Sequence, residues 1–352
     1  MGPGFESPMV HQKDCNNRCS LFYYRRKIKI FVLYDKVLEQ MELRIKEIYS
    51  NLHIDENAKA ILVGMLQGML EGQQLDTLDY FVVADTKSGE FEKAVSKYAA
   101  IVGTEANVTR DGSYHAEGKT LSGLGIDGRL HQVIIITSAI CRKAIMEVAL
   151  MLGYLNIDEK TIHEEQLEQL YGVHLIVHEI GHAVDYENRY RMFGTVNTKT
   201  FYNLGNERER QEYLLENAFS LWGEYYAEAF SFKNFNKTPN QNEGNLRWCI
   251  DSYFDDQVNF YLERAYRILY FFVLSMAYEH EKLDHKEHMN FDRFGKDKTL
   301  VEYLPYFVQV EEEIYRLYQD YPYWSSTNDL NGLMKAFNML IQHEYEKQRK
   351  LR

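Results

Sequence analysis

Hydrophobic positions along the 352-residue chain change period several times, and each change marks an expected element. Between Asp35 and Leu52, the apolar residues Val37, Leu38, Met41, Ile45, Ile48, Tyr49 and Leu52 fall mostly three and four apart, which predicts a helix. A second helix is predicted in "DENAKAILVGMLQGML", with Asp55 as its N-cap. The pattern then shortens. "LDYFVVADT" reads as a strand, "GEFEKAVSKYAAIVG" as a helix, and "HQVIIITSA" as a second strand, because β-branched residues dominate a short run. From about Glu164 onward the period is helical, with breaks near 194–205 and 236–244, where Gly, Asn, Thr and Pro gather. The opening "MGPGFESPMVHQKDCNNRCS" has no period and is expected to be a flexible tail. The whole predicts an α+β chain: a small mixed sheet with helices, then a largely helical C-terminal half.

Composition narrows the function classes. With 45% hydrophobic and 14% aromatic residues, the chain can bury a large core. A formal charge of -12 argues against a nucleic-acid-binding face, since the only dense basic run is the short "YRRKIK". Cys15, Cys19, Cys141 and Cys249 include just one close pair, "CNNRC", without a second pair at metal-site spacing. Free thiols in a reducing compartment are therefore expected, hence a cytoplasmic protein; the alternative is export without a recognisable signal peptide. The longest apolar run, "ILYFFVLSMAY" at 268–278, is too short to span a bilayer and reads as a buried helix.

The chemistry concentrates in "HLIVHEIGHAVDYENRY", residues 174–190. On a helix, residues four apart are offset by about 40° and roughly 6 Å along the axis, so His178 and His182 share a face and can hold one ion. Glu179 projects beside that ion, placed to take a proton from a water that the metal activates. This is the H-E-x-x-H arrangement. Mid-helix Gly181 costs about 1 kcal/mol relative to alanine, which predicts close packing against that turn. A catalytic zinc takes a third protein ligand, and "LWGEYYAEAFSF" offers Glu224 and Glu228 on one helical face among aromatic and small residues. One of the two completes a His2Glu set, and the other can accept the second ring N–H of a ligand histidine. His174, one turn upstream, reads as a core or supporting histidine. His280, His285 and His288 in "YEHEKLDHKEH" read as a solvated helix end, with metal binding as the alternative. "HQVIIIT" reads either as the edge strand that receives an extended peptide or as an ordinary core strand.

"HEIGHAVD" at 178–185 and "EYYAEAF" at 224–230, with 41 residues between His182 and Glu224, resemble the two zinc motifs of the anthrax lethal factor-like metallopeptidases, a family that includes the secreted Pro-Pro endopeptidases. The resemblance covers the region around these motifs, and the segment after residue 240 has no counterpart in it. It implies a gluzincin: a zincin-like core in which His178, His182 and Glu224 bind Zn(2+), Glu179 is the general base and Glu228 supports the ligands from outside. On that footing a flexible segment is expected over 1–34, a helical region over 35–75, a zincin-like catalytic domain over 76–235 and a helical C-terminal region over 245–352. The implied activity is hydrolysis of peptide or protein substrates by water activated on zinc. Two rivals remain: an effector that cleaves one particular protein with the same chemistry, and a non-hydrolytic zinc-binding regulatory module with a degenerate site.

The chain departs from the family at one point. The family places a tyrosine seven residues before the ligand glutamate to stabilise the oxyanion, and this chain has Asn217 there. Such a donor contributes roughly 3 to 4 kcal/mol, so a substitute is expected. Tyr213 would lie about 16 Å from Glu224 along a continuous helix, too far to serve. Tyr202, in the loop "TKTFYNLG", is the first candidate because a loop can fold back over the metal, and the Asn217 amide is the second. The sequence sets neither the cleavage preference nor the oligomeric state.

Overall fold

The computed structural model describes residues 47–50, 56–70, 75–85, 89–105, 117–152, 171–194, 203–235, 242–251 and 260–351. The expectations for the tail, "YRRKIK", Cys15, Cys19, the Asp55 cap and Tyr202 lie outside them.

Its first half contains strand β1 (Glu47–Ser50), helix α1 (Glu56–Leu70), strand β2 (Leu78–Ala84), helix α2 (Glu90–Val102), strands β3 (Gly118–Leu124) and β4 (Leu130–Thr137), and helix α3 (Ser138–Leu152). The strands form one mixed sheet in the order β1-β2-β4-β3, with β3 antiparallel to β4 and the other pairs parallel. β1 corrects the helix expected over 35–52. Its Ile48 and Tyr49 pair with Phe81 and Val82, and a partner strand brought from elsewhere in the chain overrides a local helical period. The remainder of that expected helix falls outside the described residues.

Both faces of the sheet are covered, which explains the unbroken apolar run in β4. Val133 and Ile135 pack with Val82 beneath α2, against Val95, Ala99 and Val102. Ile134 and Ile136 face the other way, toward Leu62 and Leu66 of α1, Ile140 and Ala144 of α3, and Ile176 and Ile180 of the next helix. β4 is thus a core strand, paired on both sides, and the edges are β1 and β3, the latter with a sequence, "GKTLSGL", that carries little strand signal.

The helix that carries the H-E-x-x-H motif is α4 (Gly172–Phe193). Its first turn is held by the buried Glu147 carboxylate of α3, which accepts from Gly172 N at 3.2 Å and Val173 N at 2.9 Å. An anion at a helix N-terminus satisfies free N–H groups and complements the helix dipole. The helix stops at Gly194, in the left-handed region at φ 67°, whose N–H returns to Tyr190 O. Helix α5 (Glu207–Asn234) follows, its N-cap Asn206 accepting from Arg208 N and Glu209 N. The rest is helical: α6 (Asn242–Asp251), α7 (Phe260–Lys282), the short α8 (Asp292–Lys296), α9 (Leu304–Asp320), a 3-10 turn at Thr327–Leu330, and α10 (Asn331–Leu351). α7 contains the buried helix expected over 268–278.

α5 sits between two environments. Leu214, Ala218, Leu221, Trp222, Tyr225 and Ala229 join a core built with α6, α7, α9 and α10, while Ala227 packs on α4. The fold is therefore α+β with a helical bulk. No described helix is long and apolar enough to cross a membrane.

Candidate metal centre

The two helices cross where the sequence predicted close packing. A Cβ on Gly181 would stand 2.7 Å from Ala227 Cα and 3.1 Å from Ala227 O, so only glycine lets α4 and α5 approach this closely. That approach brings the carboxylates of α5 onto the histidine face of α4. His178 Nε2 and His182 Nε2 are 3.1 Å apart, and Glu224 Oε2 lies 3.5 Å from the first and 3.7 Å from the second. Among the described residues this is the only group of at least three His, Cys, Asp or Glu side chains whose ligating atoms converge in this way.

The second ring nitrogen of His178 settles its tautomer. Nδ1 lies 2.9 Å from Glu228 Oε2 and donates to it, so when the ring gives up its second proton the lone pair is left on Nε2, facing Glu224 and His182. Two imidazole nitrogens and a carboxylate oxygen converging at these distances are a donor set suited to one divalent cation, and the residues present fit it. Burial opposes the charged form of His178, but Glu224 and Glu228 outweigh it and push its pKa up to about 10. Burial likewise opposes charge on Glu224 and Glu228, yet the adjacent histidines hold both well below the usual carboxylate range. Without a metal, the proton retained on His178 offsets part of the carboxylate charge.

Glu228 is itself supported. His174 Nε2 stands 3.2 Å from its Oε2, and Asn242 Nδ2 donates to its Oε1 at 3.4 Å. His174 Nδ1 lies 2.9 Å from Ser231 Oγ, so this histidine joins the outer scaffold and is no part of the metal group. Behind His182, the fully buried Asp185 accepts from Arg189 Nε at 2.6 Å, Trp222 Nε1 at 3.0 Å and Tyr321 Oη at 2.8 Å. Arg189 and Asp185 also fill the space over Gly223, where any Cβ would meet the guanidinium at 2.6 Å.

Glu179 is buried and lies against β3. Asn217 donates its amide to Tyr213 O at 2.8 Å, an i−4 bond that turns one of its protons into its own helix. Two tyrosines that the sequence reading did not single out bear on the site. Burial pushes the Tyr186 phenol up to about 12, helped by Asp185, Glu224 and Glu179. Burial and then Glu224 raise Tyr266 as well, whose Oη is 2.7 Å from Ser220 Oγ. Tyr186 was legible in principle, being one turn beyond His182 on the same face and stacked on its ring at 6.4 Å. Tyr266 was not, because it arrives from α7.

The C-terminal histidines are a correction. Only His288 is solvated as expected: His280 is fully buried, with Nε2 3.0 Å from Glu311 Oε1 and Nδ1 2.8 Å from Tyr225 Oη, and His285 Nδ1 lies 3.2 Å from the same phenol. Asp284 and His285 at φ 54° and 52° fold the chain back after α7, which turns His285 inward and brings His288 onto Glu311.

Comparison of the chain with protein-family models, with curated proteins and with solved structures finds no match.

Proposed function

We propose that this chain is a zinc-dependent metallopeptidase with a gluzincin-type core. The observation that supports the reading most directly is the convergence of His178 Nε2, His182 Nε2 and Glu224 Oε2, with the Glu179 carboxyl on the adjoining face of the same helix. A bound zinc supplies Lewis-acid chemistry, activating a water as nucleophile and polarising the scissile carbonyl.

The chain's own residues supply the rest. His178 and His182 present Nε2, Glu228 fixes the tautomer of the first, and Glu224 contributes the anionic oxygen. Glu179 takes a proton from the attacking water and delivers it to the leaving amine. A phenol that keeps its proton at neutral pH can donate to the developing oxyanion, a role open to Tyr186 and Tyr266 beside the earlier candidates Tyr202 and Asn217. The peptide substrate lies along the outer edge of β3 as an added strand, since among the described strands β3 pairs only with β4.

Metal analysis together with turnover of a peptide library tests the reading. The purified chain should carry about one zinc, and Glu179→Gln should keep that metal while losing nearly all hydrolysis. Equal turnover by the two proteins would remove the mechanism.

A further inference from the structure

β3 meets Glu179 at two points. Thr120 Oγ1, in a buried side chain, is 2.7 Å from Glu179 Oε2 and 2.8 Å from the Glu179 carbonyl oxygen, so its single proton is shared between the two, with the carboxylate the more strongly accepting partner. Gly118 is two residues earlier and therefore on the same face of the strand. A Cβ there would stand 2.6 Å from Glu179 Oε1 and 3.0 Å from its Cγ. One carboxylate oxygen is thus held by a hydroxyl, and the other rests over a bare Cα. The strand has little freedom to drift, because Gly118, Thr120 and Leu121 pair with Ile136, Ile134 and Val133 of a core strand.

We propose that Thr120 is a positioning residue for the general base: its hydroxyl pins Oε2 of Glu179, and Gly118 provides the gap in which Oε1 stays free to exchange a proton with the attacking water. The inference rests on the peptidase reading and deepens it. A glutamate side chain has several staggered rotamers, and an unpinned carboxylate spends part of its time away from the reacting water. An ångström of misplacement at such a centre can cost on the order of 10²-fold in rate. The Thr120 hydroxyl is engaged with Glu179 and contacts neither the added substrate strand nor the metal in this scheme, so its removal acts on kcat.

The test compares the zinc-loaded wild type with Thr120→Val, Thr120→Ser and Gly118→Ala. Thr120→Val keeps the shape and removes the donor. It should lower kcat by about 10- to 100-fold with KM and zinc occupancy unchanged, while Thr120→Ser, which keeps the hydroxyl, should stay within about 3-fold of wild type. Gly118→Ala should lower kcat by displacing the carboxylate. Crystal structures of wild type and Thr120→Val give a readout that does not depend on turnover: the Glu179 carboxylate should leave its seat in the variant. Full kcat in Thr120→Val overturns the proposal, as does an equal loss in Thr120→Ser. Should the wild type hydrolyse no peptide, the peptidase reading fails, and the seat is then judged on the crystals alone, where an unmoved Glu179 in Thr120→Val overturns it too.

Discussion

Replacing Asp185 by alanine should be among the most damaging single changes in the protein. Its carboxylate is fully buried and serves three donors: the Arg189 guanidinium, the Trp222 indole at 3.0 Å and the Tyr321 phenol at 2.8 Å. Removing one partner of a buried ion pair costs about 3–5 kcal/mol, because the remaining charge is left uncompensated. Each stranded neutral donor adds roughly 1–3 kcal/mol, less whatever a water in the vacated space recovers. A net loss of about 5 kcal/mol follows, comparable with the lower end of whole-protein stabilities. Urea unfolding followed by tryptophan fluorescence reads it directly, since Trp222 is in the network. Adding Arg189→Met to Asp185→Leu should recover about 2 kcal/mol or more, because an apolar pair replaces a broken ionic one. A cost below about 1 kcal/mol for Asp185→Ala, or no recovery in the double variant, would refute this account of the network.

The metal group gives a graded expectation: in zinc titrations Glu224→Ala should lose most affinity, Glu228→Ala about 10- to 100-fold, and His174→Ala less than Glu228→Ala. If His174→Ala loses the metal and Glu224→Ala keeps it, the ligand set is wrong. In the metal-free protein burial opposes the His178 proton, but Glu224 and Glu228 outweigh it and retain it up to about 10, so zinc must displace it. Affinity should therefore rise with pH, and calorimetry in two buffers near pH 8 should find about one proton released per zinc; no release contradicts the assignment. The same raised value means that the metal-free fold has this contribution in full below the ordinary histidine pKa and loses it as pH climbs toward about 10, which melting temperatures across that window can follow. Gly181→Ala should push α4 from Ala227 and weaken zinc binding together with stability, whereas unchanged zinc affinity would mean that the helices give way elsewhere.

The clustering of His178, His182 and Glu224 was legible in the sequence because helical spacing alone puts His178 beside His182 and Glu224 beside Glu228, whatever surrounds them. Gly181 was legible for a related reason: a glycine in mid-helix has a cost that close packing accounts for. What the sequence hid depended on partners distant along the chain. "GKTLSGL" contains one β-branched residue, so β3 is a strand because β4 offers it a ladder, and the contact of Thr120 with Glu179 stayed hidden with it. β1 was mistaken for helix on the same ground. His280 looked solvated among its charged neighbours, yet Glu311 from α9 and Tyr225 from α5 enclose it.

α5 has a consequence for how such a site is inherited and altered. One face of this helix presents Glu224 and Glu228 to the histidines, while the opposite face, through Trp222 and Tyr225, is part of the C-terminal core. A substitution deep in that bundle, at Phe337 for example, is remote from the candidate ligands in sequence but packs on Tyr213 of the helix that supplies one of them. Change in the C-terminal half is therefore filtered by the geometry of Glu224. The described residues after 242 form the wall behind the helix that keeps the Glu224 carboxylate within reach of two histidines, so α4 and α5 grafted alone onto another chain should lose that convergence.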